Sequence, residues 1–71
     1  MIKEFEVGKV YSYGGETSRY LVIGKGPAPG ADWRMAFLVR VRSSYAYTQR
    51  LGEITPYRYR DDYLKTWEEK E

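Results

Sequence analysis

Apolar and polar residues alternate most cleanly between Trp33 and Arg42. Trp33, Met35, Phe37, Val39 and Val41 fall on one parity, and Arg34, Ala36, Leu38, Arg40 and Arg42 on the other. A period of two is that of a β-strand with one face toward a core. The bulkier parity is assigned to the core and the arginine parity to the surface, with Ala36 and Leu38 partly covered. Upstream, Val7, Val10, Tyr11 and Tyr13 predict a first strand over about Phe5 to Tyr13, with Gly8 interrupting the alternation as in a bulge. Gly14-Gly15 reads as a tight hairpin turn. A second strand, about Arg19 to Gly24, is apolar enough for a central place in the sheet with both faces covered.

Gly24-Lys25-Gly26-Pro27-Ala28-Pro29-Gly30 is expected to be a loop, because two prolines lack amide donors and three glycines add backbone freedom. It is not a phosphate cradle: Pro29 stands where a third glycine belongs, and neither a helix nor Gly-Lys-Ser/Thr follows. Past Arg42, Ser43-Ser44 leads to a predicted fourth strand, Tyr45 to Leu51. With a loop of two or four residues, antiparallel pairing brings Tyr45 and Tyr47 to the face of Arg40 and Arg42.

Ile54-Thr55-Pro56 carries helix-start signals: a capping threonine, a proline suited to the first helical position, and Ile54 placed to staple against Tyr59. Tyr59, Tyr63 and Trp67 then recur at steps of four, with Leu64 beside them, predicting a carboxy-terminal helix over about 56–69. A competing reading ends a strand at Arg60 and begins a shorter helix capped by Asp61 or Asp62. The long helix would hold Arg58 and Arg60 near its first turn and Glu68 and Glu69 near its last, against its dipole. Such a conflict marks a site held for another purpose.

These elements add up to one α+β, mainly β, domain spanning residues 1–71. The expected architecture is a small, strongly bent antiparallel sheet of four or five strands, an SH3-like barrel with a carboxy-terminal helix packed on it. The likeness is one of architecture alone, and no family motif is matched. A chain of 71 residues buries only about 60 per cent of its unfolded surface, which leaves room for one modest core.

Cysteine and histidine are both absent. That removes disulfides, the usual zinc sites, Ser-His and Cys-His nucleophiles and the commonest proton shuttle near neutral pH. The carboxylate pairs Asp61-Asp62 and Glu68-Glu69 are adjacent in sequence and point apart on a helix, so no enzymatic activity, cofactor or metal is expected. Met1 to Glu6 lacks the apolar run of a signal peptide, no segment is long and apolar enough to span a bilayer, and asparagine is missing. A cytoplasmic location is the default expectation.

The net charge of +2 conceals an uneven distribution: residues 17–60 carry eight cations against two acids, while residues 61–71 carry five acids against two lysines. Arg34, Arg40, Arg42, Arg58 and Arg60, interleaved with Tyr45 and Tyr47, form the candidate ligand-binding set. Guanidinium forks grip phosphate or carboxylate oxygens, and phenol rings offer faces for stacking bases. The expected function is a non-catalytic binding module that takes nucleic acid through this face. The alternative is a protein-binding adaptor or inhibitor, of the compact sort that phages and mobile elements direct against host factors, because arginine and tyrosine also populate protein hot spots.

Overall fold

In a computed structural model, residues 2–42 and 51–70 are described. Five strands form one antiparallel sheet: β1 (Val10–Tyr13), β2 (Arg19–Pro27), β3 (Arg34–Arg42), β4 (Ile54–Tyr59) and β5 (Trp67–Lys70), in the order β4-β3-β2-β1-β5. β2 is the central strand, as its apolar run predicts, but it is not covered on both faces: Val22 is buried in the core while Ile23 on the other side is exposed. A 3₁₀ turn, Asp61–Thr66, precedes β5, which returns beside β1 with Tyr13 opposite Trp67.

The sheet does not close, since β4 and β5 are edges without backbone pairing to each other. A closed barrel is therefore not seen, and neither is the carboxy-terminal helix over 56–69. That span holds the end of β4, the 3₁₀ turn and most of β5 instead. Alternation overrides the helix-start signals: Tyr57 and Tyr59 share a parity that packs against the core, and Pro56 is tolerated because β4 lies at an edge. The recurrence of Tyr59, Tyr63 and Trp67 is real in space but comes from a strand, a turn and a second strand.

β2 also runs further than its apolar stretch suggests. Gly24 to Pro27 continue the ladder against Phe37, Ala36, Met35 and Arg34 in turn, after a register shift between Val22 and Gly24. The predicted loop thus shrinks to residues 28–33. Gly30 turns it with a φ of +106°, and a Cβ there would lie 2.5 Å from Trp33 Cδ1, so the turn needs glycine both for conformation and for room. β1 is shorter than predicted, beginning at Val10. Pairing of Tyr11 with Tyr20 makes the following connection longer than a two-residue hairpin. The predicted strand Tyr45–Leu51 and its Ser43-Ser44 turn lie outside the described residues, apart from Leu51 in a turn.

The parity of β3 is the reverse of the sequence expectation. Ala36 and Leu38 are 0% and 4% exposed, whereas Met35, Phe37 and Val39 are only half-buried and Val41 is exposed. The small residues face the core because its volume is already filled by rings from elsewhere. Phe5 sits at its centre, edge-on to Tyr11, Tyr59 and Trp67 at centroid separations of 5.0–5.1 Å and to Tyr57 at 6.1 Å. Edge-to-face geometry suits aromatic quadrupoles. Leu64 from the 3₁₀ turn and Val22 complete the cluster. Trp67 Nε1 donates to Tyr57 Oη at 3.2 Å, so side chains bridge the two edge strands where the backbones do not.

Candidate functional site

Because β3 turns its arginine parity inward, Arg34 and Arg40 emerge from opposite ends of the core face. They stand six residues apart, or about 20 Å along a strand. The seven candidate residues therefore do not form one surface. Arg34, Arg58 and Arg60 gather at one end, Arg40 and Arg42 at the other, and Tyr45 and Tyr47 lie outside the described residues.

The first end is internally neutralised. Arg34 Nε is 2.9 Å from Glu4 Oε2, and its Nη2 donates to Asp61 Oδ1. These acids, with a hydrogen bond to Tyr59, hold the Arg34 guanidinium still more firmly protonated than usual, the bond to Asp61 contributing most. Arg60 pairs with Asp62 at 3.3 Å, and Arg58 Nη2 donates to the Pro29 carbonyl at 3.1 Å. Arg58 and Arg60 both lie over the Trp33 ring, at 4.0 and 4.8 Å from its centroid. Glu4 from the amino-terminal segment and Asp61 and Asp62 from the 3₁₀ turn thus fold onto this end and offset its charge, while Glu6 and Glu69 pair with Lys9 and Glu68 with Lys70.

Behind Arg34, Tyr59 Oη donates to Glu4 Oε1. Burial, reinforced by that bond, pushes the Tyr59 phenol up to about 12. Burial also raises Tyr57 and Tyr11. Lys25 Nζ donates to the Phe5 carbonyl at 2.9 Å, tying β2 to the amino-terminal segment. This end is a structural network in which Glu4, Lys25, Arg34, Arg58 and Arg60 all have partners.

The second end differs. A cleft of about 300 Å³ opens on the core face between the two edges of the sheet, lined by Tyr13, Tyr20, Tyr57, Trp67, Leu38, Thr55, Glu16 and Arg40. Arg40 Nη2 donates to Tyr20 Oη at 3.2 Å, and the guanidinium carbon lies 5.3 Å from the Tyr20 ring centroid. Its Nε is buried without a hydrogen-bond partner. A buried donor left unpaired costs on the order of 1–3 kcal/mol unless water or a ligand supplies the acceptor.

At the same end of the sheet, Arg19 of β2 pairs with Arg42 of β3, past a register shift that separates this pair from Tyr20 and Arg40. Like charges across a ladder destabilise it. Arg19 donates only to the carbonyls of Thr17 and Ser18, and among the described residues none of Arg19, Arg40 and Arg42 has a carboxylate within ion-pairing distance. Arg40 is thus the cation of the aromatic cleft, with Glu16 as the acid at its wall, while Arg19 and Arg42 stand at the same end of the sheet.

Sequence reasoning named Arg40 and Arg42 but missed Arg19, Tyr13 and Tyr20 as site residues, and placed Trp67 only in the core. The signal for Arg19-Tyr20 is present in principle, as a charged and an aromatic residue opening an apolar strand, but only the pairing register brings them to Arg42 and Arg40. Among the described residues no helix is long and apolar enough to cross a membrane. No protein-family model, curated protein or solved structure matches this chain.

Proposed function

We propose that the protein is a non-catalytic binding module that takes single-stranded nucleic acid at the Arg19, Arg40 and Arg42 end of the sheet. The observation that carries this reading is the aromatic cleft of Tyr13, Tyr20, Tyr57 and Trp67 with Arg40 in its wall, at the end of the sheet where Arg19 and Arg42 face each other across the ladder. Phosphate oxygens relieve the repulsion, while Tyr13, Tyr20 and Trp67 offer ring faces and edges to an unpaired base. The cleft's volume suits one base rather than a duplex groove. The absence of cysteine and histidine supports a binding rather than a catalytic role in a reducing, cytoplasmic setting. Architecturally we read the sheet as an SH3-like roll left open at one seam, a reading supported by the return of β5 to β1 and the side-chain bridge from Trp67 to Tyr57.

Fluorescence anisotropy of labelled single-stranded and duplex oligonucleotides at about 50 and 200 mM salt tests this. Three phosphate contacts predict an affinity for single strands that falls roughly 20-fold between those concentrations. Arg42→Ala and Arg40→Ala should weaken binding at least about tenfold, and Glu16→Gln should strengthen it a few-fold by removing the opposing carboxylate. Absence of binding at the lower salt rejects the reading. A protein-binding adaptor or inhibitor is favoured by the same Arg, Tyr and Trp composition, which is that of protein hot spots. Capture of one stoichiometric protein that survives nuclease treatment would decide for it.

A further inference from the structure

Resting on the single-strand reading, we propose that the cleft selects guanine: Glu16 and Arg40, in the wall of one aromatic cleft, take the two hydrogen-bonding edges of one unpaired guanine. Apart from the tyrosines, these two are the ionisable groups that line it, and they are of opposite sign. Arg40 is held from behind. Its Nη2 donates to Tyr20 Oη at 3.2 Å, and its guanidinium carbon stands 5.3 Å from the Tyr20 ring centroid. That bond uses one N–H of the fork and leaves its other outer N–H groups for acceptors in the cleft and on the strand. Glu16 is held through its backbone, because its amide donates to the Tyr13 carbonyl at 3.1 Å and closes the turn after β1. Gly14 pins the same turn by donating to the Thr66 carbonyl at 2.6 Å. The Glu16 side chain is exposed, and among the described residues its carboxylate makes no hydrogen bond or ion pair.

Charge decides the occupant. A cation is disfavoured, because Arg40 already holds the face of Tyr20 from within. A phosphate entering between the walls meets the Glu16 carboxylate and is repelled. The group that suits both walls is neutral, with acceptors on one edge and donors on another. Guanine offers a pair of each: O6 and N7 side by side for a guanidinium fork, and N1–H and N2–H side by side for the two oxygens of a carboxylate. Adenine and cytosine bring one amino group each, and thymine a single N–H, so each leaves part of a wall unmatched. Tyr13 supplies the stacking face. At 42% exposure it is the most open ring of the cleft, it belongs to the turn that carries Glu16, and Trp67, edge-on at 5.1 Å, braces it.

Anisotropy of labelled thymine strands of about twelve nucleotides, with one central position varied, tests this at about 50 mM salt. A central guanine should bind at least about tenfold tighter than the all-thymine strand, and adenine or cytosine within about threefold of it. Inosine, which lacks the N2 amine, and 7-deazaguanine, which lacks N7, should each lose most of the advantage. Glu16→Gln should weaken the guanine strand about tenfold yet strengthen the all-thymine strand a few-fold, because the carboxylate no longer opposes its phosphates. Its circular dichroism spectrum should match wild type, since the side chain is exposed. Guanosine monophosphate should compete at least about a hundredfold more weakly than the guanine strand, since it lacks the neighbouring phosphates. Equal competition would assign the cleft to a free nucleotide and overturn the proposal. Strands that all bind alike, or a Glu16→Gln variant that strengthens guanine and thymine strands together, overturn guanine selection and leave single-strand binding standing. Failure of every strand to bind rejects the single-strand reading and the selection with it.

Discussion

Tyr59 shows how one side chain couples the fold to pH. Its phenol is fully buried, donates to Glu4 and is pushed up to about 12, above the ordinary tyrosine value near 10. A group whose folded-state value is raised favours the folded protein while it keeps its proton. The contribution is complete below pH 10 and is lost as pH rises through about 12. Two units correspond to about 2–3 kcal/mol, and Tyr57 and Tyr11, also raised by burial, act in the same direction. Urea unfolding at pH 8, 10, 11 and 12 should show stability falling across that window. Tyr59→Phe should flatten the fall and cost about 1 kcal/mol at pH 8 for the lost bond. A pH-independent wild-type midpoint would contradict the buried phenol.

Among the elements, β5 has an unusual burden. Among the described residues it pairs by backbone only with β1, and its link to β4 across the open seam runs through Trp67, whose indole donates to Tyr57 and whose ring meets Phe5, Tyr13 and Tyr20. Trp67→Phe keeps an aromatic ring but removes the donor and part of the volume. We expect a loss of about 2 kcal/mol, or roughly 10 °C in melting temperature for a domain of this size. The same variant should weaken oligonucleotide binding, because Trp67 forms one wall of the cleft. Differential scanning calorimetry together with the anisotropy assay checks both, and an unchanged melting point would show that β5 is held by backbone pairing alone.

At the scale of the whole molecule, stability rests on a very small core. A chain of 71 residues has on the order of 4–10 kcal/mol of folding free energy. Phe5, fully buried and in ring contact with four aromatic neighbours, stands at its centre although it belongs to no strand. Phe5→Ala should cost about 3–5 kcal/mol and leave the chain largely unfolded at 37 °C, as circular dichroism would show. Charge is also arranged globally. Glu4, Asp61 and Asp62 neutralise Arg34 and Arg60, so the basic surplus of the middle segment survives at one end of the sheet rather than along it.

The period-two alternation and the turn-rich spacing were enough to establish a mainly β domain with β2 at its centre, because strand period and apolar content are local properties. The candidate arginines were legible as a set for the same reason, and one of them, Arg40, lines the cleft. Which side of β3 faces inward was not legible. Both parities are apolar enough to be buried, and the choice depends on how much volume Phe5, Tyr11, Tyr59 and Trp67 bring from distant positions, leaving space for Ala36 and Leu38 but not for Phe37 and Met35. The replacement of a helix by a strand, a 3₁₀ turn and β5 has the same origin. Local capping signals at Thr55 and Pro56 are worth about 1 kcal/mol, and long-range pairing with β3 and β1 outweighs them. Chain neighbours set the residue types and their period, whereas packing between segments far apart in sequence chose the buried face, the partners of each charge and the cleft into which Arg40 is turned.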